Sequence, residues 1–228
     1  GIPAGMNITE EYIEKDLLRR MQGHGRGGRM KIEKDHAEIF SGVRHAITLG
    51  SPISLLIKNF DWVNWEDRMA TGKPKKEHRK VTMPRPGHAD LAGVMKYGLD
   101  DIRNVLERSS ARETAMRVAI GAVCRKLLEE VGITVGSRVY QIHNIVDETP
   151  VSNNMSLKEL NDTVDASPVR CFDKAAEKKM MDVIDEARNN GDSVGGSFEV
   201  IAKGLPYGLG TYINADGKLQ ARISQAMM

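Results

Sequence analysis

The sequence predicts an α+β protein, because helical and strand-like segments are mixed along it without a regular β-α-β alternation. Two long helical patterns, at residues 110–131 and 173–190, each precede an apolar segment typical of a strand, at 133–145 and 193–202. With 228 residues and 40% hydrophobic content, the chain can bury a sizeable core. We therefore expect one domain that spans residues 1–228.

Charge and cysteine content limit the kinds of site that the chain is expected to contain. The formal net charge is +2, so an electropositive site has to come from local clustering rather than from the charge of the whole chain. The two cysteines, Cys124 and Cys171, give neither a disulfide framework nor a metal-ligand spacing, and Cys124 is expected in the core on the apolar side of a helix. No apolar run approaches the roughly 18 residues of a membrane span. A cytoplasmic protein without a metal site is the expectation.

The first element is a helix. Thr9 is a suitable N-cap, acidic residues follow it, and Ile13, Leu17 and Met21 repeat at a helical spacing. Gly23 is predicted to end the helix.

A glycine-rich basic run, GHGRGGR at 23–29, follows this helix. Its glycines allow the backbone to approach a ligand closely, and arginine supplies forked donors for a carboxylate or phosphate. The favoured interpretation is a clamp for a small anion. A solvated turn is the second interpretation. A nucleic-acid segment is the third, although such segments usually recur and contain aromatic residues.

Strands and a loop are predicted between residues 30 and 80. Residues 30–39 read as two short strands around a charged turn (Glu33, Lys34, Asp35), and 53–57 is an apolar run typical of a buried strand. The basic stretch GKPKKEHRK at 72–80 is interpreted as a mobile, solvated loop. A nucleic-acid arm and a lid over an anionic ligand are the alternatives.

The segment 85–113 concentrates polar chemistry. Pro86 favours an extended chain before it, and Gly87 allows a tight turn, so His88 is expected at a strand end. Ser110 and Glu113 have the spacing of a capping box at the start of the helix predicted at 110–131. A helix N-terminus beside Arg108 and Arg112 would be a site for an anion.

The second half of the chain predicts further helices and strands. Ser156 and Asp173 are expected to begin helices, the second of which stops at Gly191. His143, near the end of the strand at 133–145, is expected to be structural. A turn at 214–217 precedes the last helical stretch.

Four motifs of the chain resemble those of the chorismate synthase family, in the family's order. They are GHGRG at 23–27, RPGHAD at 85–90, RNVLERSSARET at 103–114 and GDSVGG at 191–196. The family's Gly-Glu-Ser-His-Gly segment, which supplies another active-site histidine, has no counterpart in the chain, and neither has its C-terminal portion. The resemblance is thus to the central part of such an enzyme, and the domain is expected to be incomplete.

The resemblance implies a fold, a reaction and partners. The fold would be a β-α-β sandwich in which central helices pack against mostly antiparallel sheets. The reaction would be the anti-1,4-elimination of phosphate from 5-enolpyruvylshikimate 3-phosphate to give chorismate, with reduced FMN required although no net redox change occurs. NADPH would be used by members that reduce their own flavin. Family members are homotetramers, and neither a nucleic acid nor a membrane is an expected partner.

The resemblance also implies roles for individual residues. His88 matches the family's catalytic histidine, and only histidine titrates near neutral pH unassisted. Arg108, Ser109 and Ser110 match the flavin contact. The positions implied to bind substrate, or alternatively NADP, are Arg20, Arg26, Arg29, Arg85 and Arg112. Substrate is favoured, because the chain lacks the strand–GxGxxG–helix unit of a dinucleotide site.

Two alternatives to the enzyme remain open at the level of sequence. A catalytically incomplete fragment would bind anions without turnover. An RNA-binding module, based on GHGRGGR and the basic loop, would show binding that weakens steeply with salt.

Overall fold

The computed structural model describes residues 2–27 and 34–228. In these residues the helices are α1 (Glu10–Met21), α2 (Asp90–Tyr97), α3 (Arg103–Arg108), α4 (Glu113–Glu130), α5 (Leu157–Asp165), α6 (Lys174–Asn189) and α7 (Leu219–Met227). The strands are β1 (Ala37–Ser41), β2 (Val43–Arg44), β3 (Ile47–Thr48), β4 (Ser54–Ile57), β5 (Thr134–Ile142), β6 (Ile145–Val146) and β7 (Gly196–Lys203).

The strands form three small sheets within the described ranges. β1 pairs with β4, β2 pairs with β3, and the third sheet has the order β6-β5-β7. Every one of these pairs is antiparallel. The α+β prediction is confirmed.

The chain divides into two compact units, Gly1–Cys124 and Arg125–Met228. The first unit contains α1 to α3, the first part of α4 and the sheets β1-β4 and β2-β3. The second contains the three-stranded sheet with α5, α6 and α7. That the whole chain forms a single incomplete domain stays a prediction.

Helix α1 anchors the first unit. The Thr9 hydroxyl accepts a hydrogen bond from the Tyr12 amide at 3.3 Å, so the predicted N-cap is confirmed. Ile13 and Leu17 are fully buried. The Glu10 carboxylate accepts a hydrogen bond from the Ile39 amide at 2.7 Å, which ties the start of the helix to β1.

Strand β4 is less buried than its apolar sequence predicts. β1 is its neighbour in a two-stranded sheet, and Leu56 remains exposed. A continuous apolar run indicates a buried strand only when both faces of the sheet are covered. The predicted strand at the start of 30–39 and the turn residue Glu33 lie outside the described residues.

In the second unit, two predicted N-cap residues do begin helices. The Ser156 hydroxyl accepts from the Glu159 amide at 3.1 Å, and the Asp173 carboxylate accepts from the Ala175 amide at 2.8 Å. Both predicted helix starts are therefore confirmed. Helix α5 packs closely on β5, since a Cβ placed on Gly136 would lie 3.2 Å from the Leu157 side chain.

The expectation that Cys124 belongs to the core is wrong. Its side chain is exposed, as is that of Ile120 one turn earlier on α4. Both residues face a groove of about 610 Å³ lined mainly by apolar side chains of residues 52–55 and α4. The helical pattern located an apolar face correctly, but its periodicity cannot show how far a neighbouring element covers that face.

Candidate functional site

Residues 81–89 lead into α2, and Val81 is held against the start of α3. The Val81 amide donates to the Asp101 carboxylate at 3.0 Å, and the Ile102 amide donates to the Val81 carbonyl at 2.9 Å. Helices α2 and α3 lie so close that a Cβ on Gly93 would be 2.7 Å from the Val105 side chain. This contact fixes α2, and with it the turn that carries His88.

His88 lies in that turn, directly before α2, and not at a strand end as predicted. The cause is Asp90, the first residue of α2, whose carboxylate accepts a hydrogen bond from the Arg85 amide at 3.0 Å. This bond closes the turn over Pro86 and Gly87, and Gly87 has a φ of +67°. The segment consequently finds its backbone partner within the turn and not in a neighbouring strand.

Three charged or titratable side chains meet at this turn. The Arg85 Nε donates to Asp90 Oδ2 at 3.0 Å, and His88 Nδ1 lies 2.5 Å from Asp90 Oδ1. The Arg85 Nη2 lies 3.0 Å from His88 Nδ1 and 2.9 Å from Nε2, which places the guanidinium beside the ring. The Asp90 side chain is fully buried, whereas that of His88 is 27% exposed.

The electrostatics of this cluster keep Asp90 ionised. Hydrogen bonds from the Arg85 side chain hold the pKa of Asp90 well below its ordinary value, and they outweigh burial, which acts in the opposite direction. The same hydrogen bond raises the pKa of Arg85. The cluster therefore contains a directly paired anion and cation, both in contact with a histidine that solvent can reach.

A second cluster is built around Asp35. Its side chain is fully buried and lies between Arg112, whose Nη1 is 2.6 Å from Oδ1, and Arg20, whose Nη1 is 3.1 Å from Oδ2. Arg20 also donates to the Thr114 hydroxyl and the Ala111 carbonyl, and Arg112 donates to the Lys58 carbonyl. Both guanidinium groups are thus fixed by the protein, which ties α1 to the start of α4.

The turn between α3 and α4 differs from the predicted capping box. The Ser110 hydroxyl accepts from the Arg112 amide at 3.3 Å, and the Glu113 carboxylate accepts from the Arg117 side chain at 2.7 Å. The Glu113 amide bonds to the Ser110 carbonyl at 3.1 Å. The first amides of α4 are satisfied by backbone carbonyls of the turn itself, so the helix-end amide site inferred from the sequence is not formed.

Of the remaining predicted contacts, Arg108 and Arg26 are exposed and Ser109 is half-buried. Arg108, at the last position of α3, is exposed, and the Ser109 hydroxyl donates to the Val105 carbonyl at 2.8 Å. Arg26 is exposed and donates from Nε to the Gln22 carbonyl at 3.1 Å. Arg29 lies outside the described residues.

The basic loop at 72–80 is organised by one carboxylate. Asp67 accepts from the Lys75 amide at 2.6 Å and from the Lys76 amide at 3.1 Å, and its Oδ2 lies 2.8 Å from His78 Nε2. The Lys75 amide bond is the main cause that lowers the pKa of Asp67. The lysine residues themselves are exposed, as expected of a solvated loop.

Comparison with known proteins identifies the family. The family model described as chorismate synthase matches residues 1–228. The chain belongs to the chorismate synthase family. Chorismate synthase 2 of Bacillus cereus (strain ZK / E33L) is 52% identical over 233 residues, and chorismate synthase of Geobacillus sp. (strain WCH70) is 52% identical over 231 residues. Each alignment covers 100% of this chain and 59% of the relative, so the chain spans about three fifths of the length of these synthases.

The fold of the chain is also similar to that of a solved structure. A crystal structure of chorismate synthase matches with a TM-score of 0.78 at 39% identity, covering 100% of this chain and 59% of that one. The fold predicted from the resemblance is confirmed. Within the described residues, no helix is long and apolar enough to cross a membrane, and no group of three or more potential metal ligands is found.

Of the residues that the chorismate synthase motifs singled out, the structure brings some together. Arg85 contacts His88, and Arg20 shares a carboxylate with Arg112. Two residues at the centres of these clusters, Asp90 and Asp35, were not assigned a role from the sequence. Asp90 could have been found, because it lies two residues after His88 in the RPGHAD motif. Asp35 carried no such signal, since it is distant in sequence from both of its partners.

Proposed function

We propose that the protein acts as a chorismate synthase, a carbon-oxygen lyase that eliminates phosphate from 5-enolpyruvylshikimate 3-phosphate. The observation that carries this proposal is the cluster of His88, Asp90 and Arg85, in which a proton-transfer group lies beside a fixed cation inside a motif of the family. General acid–base catalysis needs such a titratable group near neutral pH.

The substrate's charges suit the arginines of the first unit. In the elimination, the C–O bond to phosphate and a ring C–H bond break, the existing ring C=C bond shifts while a second one forms, phosphate leaves as an anion, and the proton passes to a base or to water. Arginine binds phosphate and carboxylate through paired, charge-assisted hydrogen bonds. Arg26 is the best-placed of the predicted substrate residues, because it is exposed and uses only Nε toward the described part of the chain. Arg20 and Arg112 would contribute a positive potential while they remain held by Asp35.

Some residues of the α3–α4 turn could donate hydrogen bonds to the phosphate of FMN. Arg108 offers an exposed guanidinium group, and the Ser110 hydroxyl, which accepts from the Arg112 amide, retains its own hydrogen for donation. The Ser109 hydroxyl already donates to the Val105 carbonyl, so it would have to rotate to join them. Reduced FMN, when bound, is required for the elimination although it undergoes no net oxidation.

Further features of the whole enzyme are proposed with the function. They are a homotetrameric state, a cytoplasmic location, and NADPH as reductant if the enzyme reduces its own flavin. Oxidation of NADPH in the presence of FMN tests the last of these. A rate no higher than that of free FMN would contradict it.

Flavin titration tests the function directly. FMN fluorescence is followed as the 228-residue chain is added, with and without 5-enolpyruvylshikimate 3-phosphate. We expect the substrate to tighten flavin binding and Arg108→Gln to weaken it by about 10- to 100-fold, the scale of a charge-assisted hydrogen bond. Arg117→Gln is the matched control, because Arg117 is an exposed arginine on α4 that pairs with Glu113. Binding of neither ligand, or equal losses in both variants, would refute the proposal.

A further inference from the structure

The buried carboxylate of Asp90 determines which nitrogen of a neutral His88 ring carries the hydrogen. An ionised carboxylate can only accept hydrogen bonds, and a guanidinium can only donate them. Asp90 Oδ1 lies 2.5 Å from Nδ1, so Nδ1 has to carry a hydrogen. Arg85 Nη2 lies 3.0 Å from Nδ1 and 2.9 Å from Nε2, so the guanidinium faces the ring and does not distinguish the two nitrogens. The carboxylate therefore selects the neutral tautomer in which Nδ1 carries the hydrogen and Nε2 keeps its lone pair.

We infer that Asp90 is a positioning residue, which holds a neutral His88 as the Nδ1–H tautomer and leaves Nε2 for proton exchange. The role of His88 rests on the proposed function, whereas its tautomer does not. Nε2 is then the ring atom that takes up a proton and returns it.

The rigidity of Asp90 supports this assignment. Its side chain is fully buried, and it accepts hydrogen bonds from both the backbone amide and the side chain of Arg85. It is also the first residue of α2, whose position is fixed by the close contact of Gly93 with Val105. A carboxylate with this many fixed donors cannot turn away from the ring, so it sets the ring's orientation as well as its tautomer.

The chain contains its own control, a second histidine–aspartate pair with the opposite geometry. Asp67 Oδ2 lies 2.8 Å from Nε2 of His78, not from Nδ1. The same reasoning therefore expects the Nε2–H tautomer for His78. One protein should then show both neutral tautomers in a single spectrum.

Nitrogen NMR of the histidine side chains tests the inference. The 228-residue chain is labelled with ¹⁵N-histidine, and long-range ¹H–¹⁵N spectra are recorded over a pH series into the alkaline range, in which a neutral ring gives separate pyrrole-type and pyridine-type signals. His88→Gln and His78→Gln assign the two rings. We expect a pyrrole-type Nδ1 and a pyridine-type Nε2 for His88, and the reverse for His78. A pyridine-type Nδ1 in His88 of the unmodified chain would overturn the inference without any further variant.

Asp90→Asn tests the part played by the carboxylate. An asparagine beside a catalytic histidine preserves the geometry but can donate to the ring and select the wrong tautomer. His88 should therefore change to the Nε2–H form in Asp90→Asn and remain Nδ1–H in Asp67→Asn, with amide spectra showing that both variants are folded. An unchanged His88 tautomer in folded Asp90→Asn would remove Asp90 from this role. Because the spectra are recorded without flavin or substrate, their outcome is independent of whether the elimination is observed.

Discussion

Removal of the carboxylate of Asp35 should destabilise the first unit strongly. The side chain is fully buried, and its two partners, Arg20 and Arg112, are only 11% and 16% exposed. Asp35→Ala would remove a fully buried carboxylate from between two nearly buried guanidinium groups, and breaking a buried ion pair from one side costs about 3–5 kcal/mol. An exposed pair, by contrast, contributes roughly 0.2–1 kcal/mol.

Urea unfolding followed by tryptophan fluorescence measures this effect in the relevant unit. The chain has two tryptophans, Trp62 and Trp65, and both belong to the first unit. Glu113→Gln is the matched control, since Glu113 pairs with Arg117 at 2.7 Å on the exposed face of α4. We expect a large decrease in the free energy of unfolding for Asp35→Ala and little change for the control. A decrease below about 1 kcal/mol would show that Asp35 is not the buried link between the two arginines.

Three further predictions concern packing, pH and turnover. Gly93→Ala should lower the urea midpoint, because the new Cβ would lie 2.7 Å from Val105 and overpacking costs about 1–3 kcal/mol. Gly121→Ala, whose new Cβ would meet nothing within 4 Å, should raise the midpoint, because alanine is a better helix former than glycine. Equal effects of the two substitutions would contradict the close contact between α2 and α3. The folded-state pKa of Asp90 is lowered, so its contribution to stability is present above the ordinary carboxyl pKa and is lost as the pH falls below it. In Asp90→Asn, the free energy of unfolding should therefore decrease less steeply as the pH is lowered through this range. An unchanged decrease would exclude this linkage. His88→Ala should decrease kcat of the complete synthase by about 10²–10⁴, the usual contribution of a general acid or base, with substrate affinity largely retained; full activity would exclude His88 from the mechanism.

Helix starts were predictable from the sequence wherever the signal was local. Thr9, Ser156 and Asp173 each cap the helix that follows, because an N-cap hydrogen bond joins residues only two or three positions apart. Ser110 has the same kind of signal and fails. There α3 ends immediately before α4 begins, and the short turn between them uses backbone carbonyls for the first amides of α4.

The sequence identified residues of the candidate site but not the contacts between distant residues. Motifs identified His88 and Arg85 as chemistry-bearing residues, and the structure places them in contact. Asp35 pairs with Arg112 across 77 positions of sequence, and no local pattern encodes such a contact. The exposure of Cys124 was missed for a related reason, since helical periodicity shows which side of α4 is apolar but not what covers it.

The attachment of the basic loop to Asp67 has a consequence for encounter with anionic molecules. Two successive backbone amides, those of Lys75 and Lys76, are bonded to one carboxylate, while the ammonium groups extend into solvent. An incoming anion would therefore immobilise side-chain rotamers but would not have to order the main chain, whose fixation costs about 1–2 kcal/mol per residue. A loop of this kind can attract charge over a distance and release it quickly, which favours rapid exchange of ligands over tight retention.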